Sequence, residues 1–440
     1  MKRSEFRVLQ LLHEVTVKPV LFFITAIDPA DPTNGGGRRE RREKYESTIF
    51  GGRRGDAAPP LTDGIPKHSI RHIVTLVKGV RQIMKNLKLP NDAYVFRLTD
   101  DTGMFQHARR AVPDPSEGYT TDDNARALIM ALQLFGMTGK QKYLDLAVRY
   151  LGFLAYAKNG AWFRNFMDYD RRFTEERGSE ECFGRCIAAL GFAASRPGLP
   201  EEIRGVADDL LRQTVSGCGE LTHLRAEAYA VIGLNDWKGD HSREFAVRLA
   251  AEISDAYRRR AAPDWKWFED EINYCNAVLP WAMLIAHEAT GEKKYLRIGM
   301  ESLDFLLDAT FADGIFRPVG CNGWFPKGQK AAEFDQQPVE ACGTLLACLK
   351  AYELTGKDVY RDRASQCLGW YTGRNIRKVS LIDPETGGCL DGITSGSLNP
   401  NEGAESLVCW MIASLAWLAF SKSMPRPSVY AEPAAVAARI

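Results

Sequence analysis

A short motif recurs three times along the chain and constrains its fold more than any other feature. The copies are Thr138-Gly-Lys-Gln-Lys-Tyr143, Thr290-Gly-Glu-Lys-Lys-Tyr295 and Thr355-Gly-Lys-Asp-Val-Tyr360. In each copy an apolar segment precedes the Thr-Gly pair and an amphipathic segment follows it. Glycine readily ends a helix in the left-handed conformation, so the next helix can begin at once. The motif therefore predicts a repeated hairpin of two helices.

Hydrophobic periodicity predicts twelve helices, which form six such pairs. They are predicted to begin near residues 68, 123, 140, 181, 201, 224, 243, 274, 293, 337, 358 and 404. The first helix of a pair is small and apolar on all sides, as in Ile187-Ala-Ala-Leu-Gly-Phe-Ala-Ala, whereas most second helices carry charges on one face. This pattern indicates inner helices buried on both sides and outer helices that face solvent. The predicted fold is all-α, an (α/α)6 toroid with few short strands, such as a hairpin near Gly314.

The 440 residues exceed the roughly 100–200 residues of a typical domain. A repeat fold nevertheless accommodates such a length in one domain, which we assign to residues 67–425. Residues 1–66 contain a stretch rich in Pro, Gly, Arg and Asp, typical of a linker or partly disordered extension, and residues 426–440 form a C-terminal tail.

Charge and cysteine usage exclude several classes of function. The net charge of +1 argues against a nucleic-acid binder that works by phosphate neutralisation. The ten cysteines lack the spacing of a zinc site, so we expect free thiols, a reducing cytoplasmic location and no metal or other cofactor. No continuous apolar run of about 20 residues predicts a membrane span. The oligomeric state does not follow from the sequence.

Acidic, amide and aromatic residues concentrate in the long loops that lead into the predicted inner helices. Examples are Gly118-Tyr-Thr-Thr-Asp-Asp-Asn-Ala-Arg126 and Phe334-Asp-Gln-Gln-Pro-Val-Glu340. Any single motif is adequately explained as a helix cap, because Asp and Ser satisfy the first N–H groups and acids match the helix dipole. Several acids at the entrances of buried helices instead predict a wet cavity. Together with Trp, Asn, Gln and Arg they suggest a sugar site, where paired carboxyls hydrolyse a glycosidic bond.

The main prediction is an inverting glycoside hydrolase that acts on a bacterial oligosaccharide or polysaccharide. Asp123 is the predicted base and Glu340 the predicted acid, and the other carboxylates considered are Asp122, Glu181, Glu269 and Asp335. The predicted substrate-binding residues are Tyr119, Asn124, Arg126, Arg164, Asn165, Trp267, Asn276, Trp324, Gln337 and Glu405.

Two alternatives remain open at this stage. His107 could serve as the acid–base group of a sugar epimerase or isomerase, although a lone histidine is more often structural. The other hypothesis is that the protein is a non-catalytic glycan-binding partner of a glycosyltransferase.

From about Leu98 onward the chain resembles a family of bacterial proteins that stand alone or are fused behind a glycosyltransferase domain. The resemblance rests on long motifs that include Leu98-Thr-Asp-Asp-Thr-Gly-Met-Phe-Gln-His107, Gly118-Tyr-Thr-Thr-Asp-Asp-Asn-Ala-Arg-Ala-Leu128 and Asn401-Glu-Gly-Ala-Glu-Ser406. It implies a carbohydrate-processing role, the (α/α)6 fold and a functional link to a glycosyltransferase. More distantly, the chain is similar to inverting glycosidases and sugar epimerases of this architecture.

Overall fold

The computed structural model describes residues 89–423, and within that range it contains twelve helices. The inner helices are α2 (Thr121–Thr138), α4 (Glu180–Ser195), α6 (Leu224–Trp237), α8 (Val278–Thr290), α10 (Pro338–Thr355) and α12 (Ala404–Ser423). The outer helices are α3 (Gln141–Ala157), α5 (Glu201–Thr214), α7 (Ser242–Arg260), α9 (Lys293–Thr310) and α11 (Asp358–Tyr371). A five-residue helix, α1 (Ala93–Arg97), comes before them.

Eleven of the twelve predicted helix starts lie within four residues of an observed start. The twelfth, near residue 68, lies outside the described residues, as do the segment 1–66 and the tail 426–440. Helix α1 was not predicted, because five residues are too few to show a helical period.

The inner helices contact one another in sequence, α4 with α6, α6 with α8, α8 with α10, and α10 with α12. Arg126 on α2 binds Glu405 on α12, which joins the first and last of the inner helices. Within the pairs, Gly291 and Gly356 adopt the left-handed conformation (φ of 74° and 66°) and end α8 and α10. The outer helix follows within two residues in both pairs, so the inner-to-outer connections are short on one rim. These features confirm the (α/α)6 fold.

The long connections lie on the other rim and contain six two-stranded antiparallel sheets. The pairs are β1 (Ala108–Arg109) with β2 (Val112–Pro113), β3 (Tyr119–Thr120) with β6 (Phe166–Met167), β4 (Lys158–Asn159) with β5 (Trp162–Phe163), β7 (Glu271–Ile272) with β10 (Phe325–Pro326), β8 (Phe311–Ala312) with β9 (Ile315–Phe316), and β11 (Gly392–Ile393) with β12 (Leu398–Asn399). The β8–β9 hairpin confirms the strand prediction near Gly314.

Helix α12 is apolar on all sides. Within residues 89–423 its segment Ala404–Lys422 is the one stretch long and apolar enough to cross a membrane by length and composition, and 61% of it is buried inside the fold. A buried inner helix of this fold has the same composition. All ten cysteines are free, and all but Cys321 are buried.

Candidate active site

A polar pocket of about 380 Å³ opens where α2 and α12 begin, on the rim of the long loops. We call it the rim pocket. Its walls are formed by Gln106, His107, Thr120, Asp122, Asp123, Arg126, Asn165, Phe166, Gln337, Asp391, Asn399, Gly403, Glu405 and Ser406. Of the residues predicted from sequence, it brings together Asp122, Asp123, Arg126, Asn165, Gln337, Glu405 and His107.

The start of α2 is held by a neighbouring loop. Strand β3 pairs with β6, which brings Asn165 against the first turn of the helix. The Asn165 carbonyl accepts a hydrogen bond from the Thr121 N–H (2.9 Å), and its side-chain oxygen accepts one from the Asp122 N–H (3.2 Å). Asn165 thus caps α2 and fixes the orientation of the two aspartates that follow.

Asp123 is the most strongly perturbed acid of the rim pocket, with only 4% of its surface exposed. One carboxylate oxygen accepts a hydrogen bond from the Thr120 hydroxyl (2.7 Å) and the other from Arg126 Nη2 (2.6 Å). Burial raises the pKa of Asp123 to about 7, and Asp122 acts in the same direction, although Arg126 opposes both. A carboxyl with such a pKa can carry a proton near neutral pH.

Glu405 contacts the same guanidinium but has the opposite shift. Its Oε2 accepts hydrogen bonds from Arg126 Nη1 (2.7 Å) and from the Tyr274 hydroxyl (2.5 Å). Burial alone would raise the pKa of Glu405, but Arg126, Arg185 and the Tyr274 hydroxyl outweigh it and hold the pKa below its usual value. The pocket therefore holds one carboxyl biased towards the protonated form and one biased towards the ionised form.

Asp391 is a pocket residue that the sequence analysis did not select. Its Oδ1 accepts hydrogen bonds from the Gly403 N–H (2.8 Å) and the Ser406 hydroxyl (2.7 Å), so it caps α12. Burial raises its pKa, while His107 acts in the opposite direction. Its Asp-Gly dipeptide, shortly before the Asn401-Glu-Gly motif, was the available signal.

A second cavity, of about 300 Å³, runs between the inner helices, and we call it the central channel. All six inner helices line it, and Arg126 lines both the channel and the rim pocket. Glu340 and Asn276 lie here and not in the rim pocket. Glu340 is 4% exposed, and its Oε2 accepts hydrogen bonds from the Asn276 side chain (3.0 Å) and backbone (3.3 Å). Burial raises the pKa of Glu340 to about 7 despite these bonds.

Three of the carboxylates considered from sequence lie outside both cavities. Glu181 is paired with buried Arg185 (2.5 Å). Glu269 forms a bidentate salt bridge with Arg225 (3.0 and 2.9 Å). Asp335 lies in the loop before α10, where its carbonyl accepts a hydrogen bond from the Cys321 N–H (3.0 Å). For the two glutamates, a nearby arginine on another turn or helix explains why an acid is tolerated there.

Several of the residues predicted to bind substrate line neither cavity, and their side chains contact other parts of the protein. Tyr119 is 1% exposed and donates to Asp100 (2.6 Å). Asn124 is fully buried and is bonded to the backbone of Met104. Trp267 has no exposed surface and packs edge-on against Phe268, so its ring has no free face for a sugar.

Two other predicted substrate-binding residues, Arg164 and Trp324, also line neither cavity. Arg164 donates to the backbone of Tyr156 (2.6 Å) and Ala157 (3.3 Å) and lies over the Phe173 ring. Trp324 is partly exposed in the loop before α10. Across residues 89–423, no group of three or more His, Cys, Asp or Glu side chains is arranged to hold a metal ion.

Comparison with known proteins identifies the fold but no family. No protein-family model matches the chain, and no curated protein matches it in sequence. A sugar epimerase from a ruminal bacterium is similar in structure, with a TM-score of 0.60 and 13% identity over 80% of this chain and 100% of that one. Cellobiose 2-epimerase from Bacillus thermoamylovorans has a TM-score of 0.59 and 14% identity, over 79% of this chain and 100% of the epimerase.

An α-1,6-mannanase from Salegentibacter sp. HEL1_6 is similar too, with a TM-score of 0.50 and 14% identity over 74% of this chain and 96% of the mannanase. That structure is of an inactive variant with two adjacent aspartates replaced by alanine, in complex with α-1,6-mannotetrose. At such identities the similarity establishes a shared fold, and the neighbours that share it process carbohydrates.

Proposed function

We propose that the protein is a carbohydrate-active enzyme, a glycoside hydrolase whose reaction takes place in the rim pocket. The observation that carries the proposal is the pair Asp122–Asp123 at the start of α2. Asp123 is buried with a pKa raised to about 7, and adjacent Asp122 is more accessible, with 23% of its side chain exposed against 6% for Asp123. Two neighbouring carboxyls in different environments can divide the roles of acid and nucleophile.

The contacts with Arg126 favour a particular division of roles. Nη2 of Arg126 contacts Asp123 Oδ1 at 2.6 Å and Asp122 Oδ2 at 3.4 Å. These two oxygens therefore lie within about 6 Å of each other, which is shorter than the roughly 6.5–9.5 Å of inverting glycosidases and compatible with the roughly 5–5.5 Å of retaining ones. The inverting pair predicted from sequence, Asp123 and Glu340, would instead join the rim pocket to the channel.

In the proposed reaction, Asp123 gives its proton to the leaving glycosidic oxygen while Asp122 attacks the anomeric carbon. This breaks the glycosidic bond and forms a glycosyl ester on Asp122. Water then attacks the same carbon, returns a proton to Asp123 and releases the sugar with its original configuration. Arg126 holds the two acids in place, and the ionised Glu405 balances the charge of Arg126.

The adjacent aspartates replaced in the inactive mannanase variant make α-1,6-linked mannose a reasonable first substrate. The test is incubation with α-1,6-mannotetraose and a wider glycan panel, with products followed by NMR. Release of new reducing ends of retained configuration supports the proposal. Inverted products would favour Asp123 with Glu340, and no cleavage across the panel would overturn hydrolysis.

A sugar epimerase is the second candidate, supported by the position of His107. His107 lines the rim pocket near Asp391, and two of the structural neighbours are epimerases. Epimerisation moves a proton on and off carbon, so it would incorporate solvent deuterium into a free sugar or cellobiose. Among residues 89–423 the other histidines, His223, His241 and His287, line neither cavity. A pair of acid–base groups in the rim pocket would therefore have to combine His107 with a carboxylate.

A further inference from the structure

The central channel contains polar atoms for which the fold provides no partner. Glu340 Oε1 and Arg126 Nε are buried and have no hydrogen-bond partner among the described residues, and both side chains line the channel. Glu340 is 4% exposed and Arg126 8%. Gln133 Oε1, further along α2, has no partner either. Buried polar groups are nearly always satisfied in folded proteins, so three unsatisfied atoms that line one cavity point to a ligand that satisfies them.

The rest of the channel wall is apolar and aromatic. Phe192, Tyr229 and Trp281 contribute rings from three different inner helices. A cavity with aromatic walls and a few convergent polar groups is typical of small-molecule sites, and about 300 Å³ is at the lower end of their usual size. The rings offer apolar surface for the C–H face of a pyranose, and the polar atoms can bind its hydroxyls.

The charges around the channel favour a neutral ligand. Arg126 is paired with Asp123 and Glu405 (2.6 and 2.7 Å). Lys350 is paired with Glu288 and Glu353 (3.0 and 2.8 Å).

The two remaining arginines of the channel are also accompanied by acids. Arg185 contacts Glu181 at 2.5 Å, and Arg196 has a favourable electrostatic interaction with Asp236. A carboxylate or phosphate would compete with these acids, whereas sugar hydroxyls would not.

We infer that the central channel is a sugar subsite that takes one neutral pyranose unit at the end of the substrate, while the bond to be cleaved lies in the rim pocket. The inference rests on the proposed function for the reaction and on the channel itself for the binding. The two cavities share Arg126 as a lining residue, so a sugar bound in the channel would lie next to the rim pocket. An enzyme with such a subsite acts from a chain end.

Gly343 on α10 provides a direct test. It lines the channel, and a Cβ added there would approach nothing closer than Ala277 Cβ at 3.7 Å, an ordinary contact. Gly343→Leu should therefore fill the channel without disturbing the backbone, and it should strengthen the helix. Gly152→Leu on α3 is the matched control, because Gly152 is a helical glycine with open space around its Cβ position and an exposed surface.

The experiment measures binding of α-1,6-mannotetraose and of cellobiose by calorimetry in the Asp123→Asn background, with no further change, with Gly343→Leu or with Gly152→Leu. We expect Gly343→Leu to weaken binding at least tenfold, Gly152→Leu to leave it unchanged, and all variants to melt at or above the parent. Gly343→Ala, with its single methyl group, should have a smaller effect, and it replaces the leucine variant if that one does not fold.

Unchanged affinity in Gly343→Leu, or no binding of either sugar to the parent, overturns the channel subsite. Cleavage by the wild-type protein together with unchanged affinity overturns the subsite but leaves the proposed hydrolysis intact. Channel-dependent binding without cleavage of any glycan supports the subsite and overturns the hydrolase.

Discussion

The rim pocket and the central channel share Arg126, but the polar groups of the two cavities differ in whether they are hydrogen-bonded. In the rim pocket, both oxygens of Asp123 and one oxygen of Glu405 are hydrogen-bonded. In the channel, Glu340 Oε1 and Arg126 Nε have no partner among the described residues. A fixed set of carboxyls with opposed pKa shifts is suited to proton transfer, whereas unsatisfied groups in an apolar wall are suited to binding. Under the proposed function, the reaction takes place in the rim pocket and the central channel binds the end of the substrate.

The largest effect should follow from removing the proposed acid. Asp123→Asn should lower kcat by about 10²–10⁴, because general acid catalysis contributes that much to a proton-transfer step. Steady-state kinetics on the best substrate of the glycan panel measures it. The control is Asp358→Asn, which changes an exposed acid in the first turn of α11 and should leave kcat unaltered. Full activity in Asp123→Asn would remove the rim pocket from the reaction.

The next largest effect concerns the residue that the two cavities share. Arg126→Met should cost about 3–5 kcal/mol of unfolding free energy, because Asp123 and Glu405 lose the cation that offsets their burial. Arg361→Met, which breaks the exposed pairs with Asp358 and Asp362, should cost much less, because solvent screens exposed ion pairs. Denaturant unfolding at pH 7 compares them, and equal losses would show that Arg126 does not hold the pocket together.

A smaller, pH-dependent effect is expected in the channel. The pKa of Glu340 is about 7 in the folded chain against a usual 4.5. Between these values the folded state binds more protons than the unfolded one, so this residue makes stability fall as pH rises. Glu340→Gln keeps an acceptor for Asn276 but has no charge to bury. It should match the wild type at pH 4.5 and exceed it by about 1–3 kcal/mol at pH 8.

Unfolding curves at several pH values measure the difference between Glu340→Gln and the wild type. Parallel curves for the two proteins from pH 4.5 to 8 would mean that Glu340 is already ionised at little cost in the folded chain.

The smallest effect on activity should come from an acid outside both cavities. Glu269→Gln should leave kcat within about threefold, because this glutamate is engaged by Arg225 and lines neither cavity. The Glu269→Gln protein should be less stable to heat than the wild type, since Arg225 is left without its charged partner. A loss of kcat comparable to that of Asp123→Asn would return Glu269 to the list of catalytic acids.

The helices were predictable because their signals are local. A 3.6-residue period and the Thr-Gly turn motif each depend on a few neighbouring residues, and eleven of the predicted starts have a matching helix. The acids at the start of α2 were also recognisable, since a buried inner helix otherwise excludes them.

The remainder of the site depends on contacts between distant segments. Asp391 joins Asp123 only because the loops before α2 and α12 meet at one rim. Trp267 was predicted to bind substrate, but whether an indole lies in the core or at the surface depends on what packs against it. Likewise, the sequence could not show that Glu269 differs from Asp123 as a catalytic candidate, because its partner Arg225 lies 44 positions away.

The most direct test of hydrolysis at the rim pocket is a proton NMR time course of the wild-type protein with α-1,6-mannotetraose in deuterated water, with cellobiose as a parallel substrate. Hydrolysis predicts new reducing-end anomeric signals of retained configuration and no loss of signal from the proton at carbon 2, and Asp123→Asn should slow the change by about 10²–10⁴. Loss of the carbon-2 proton signal without new reducing ends would contradict it and identify an epimerase.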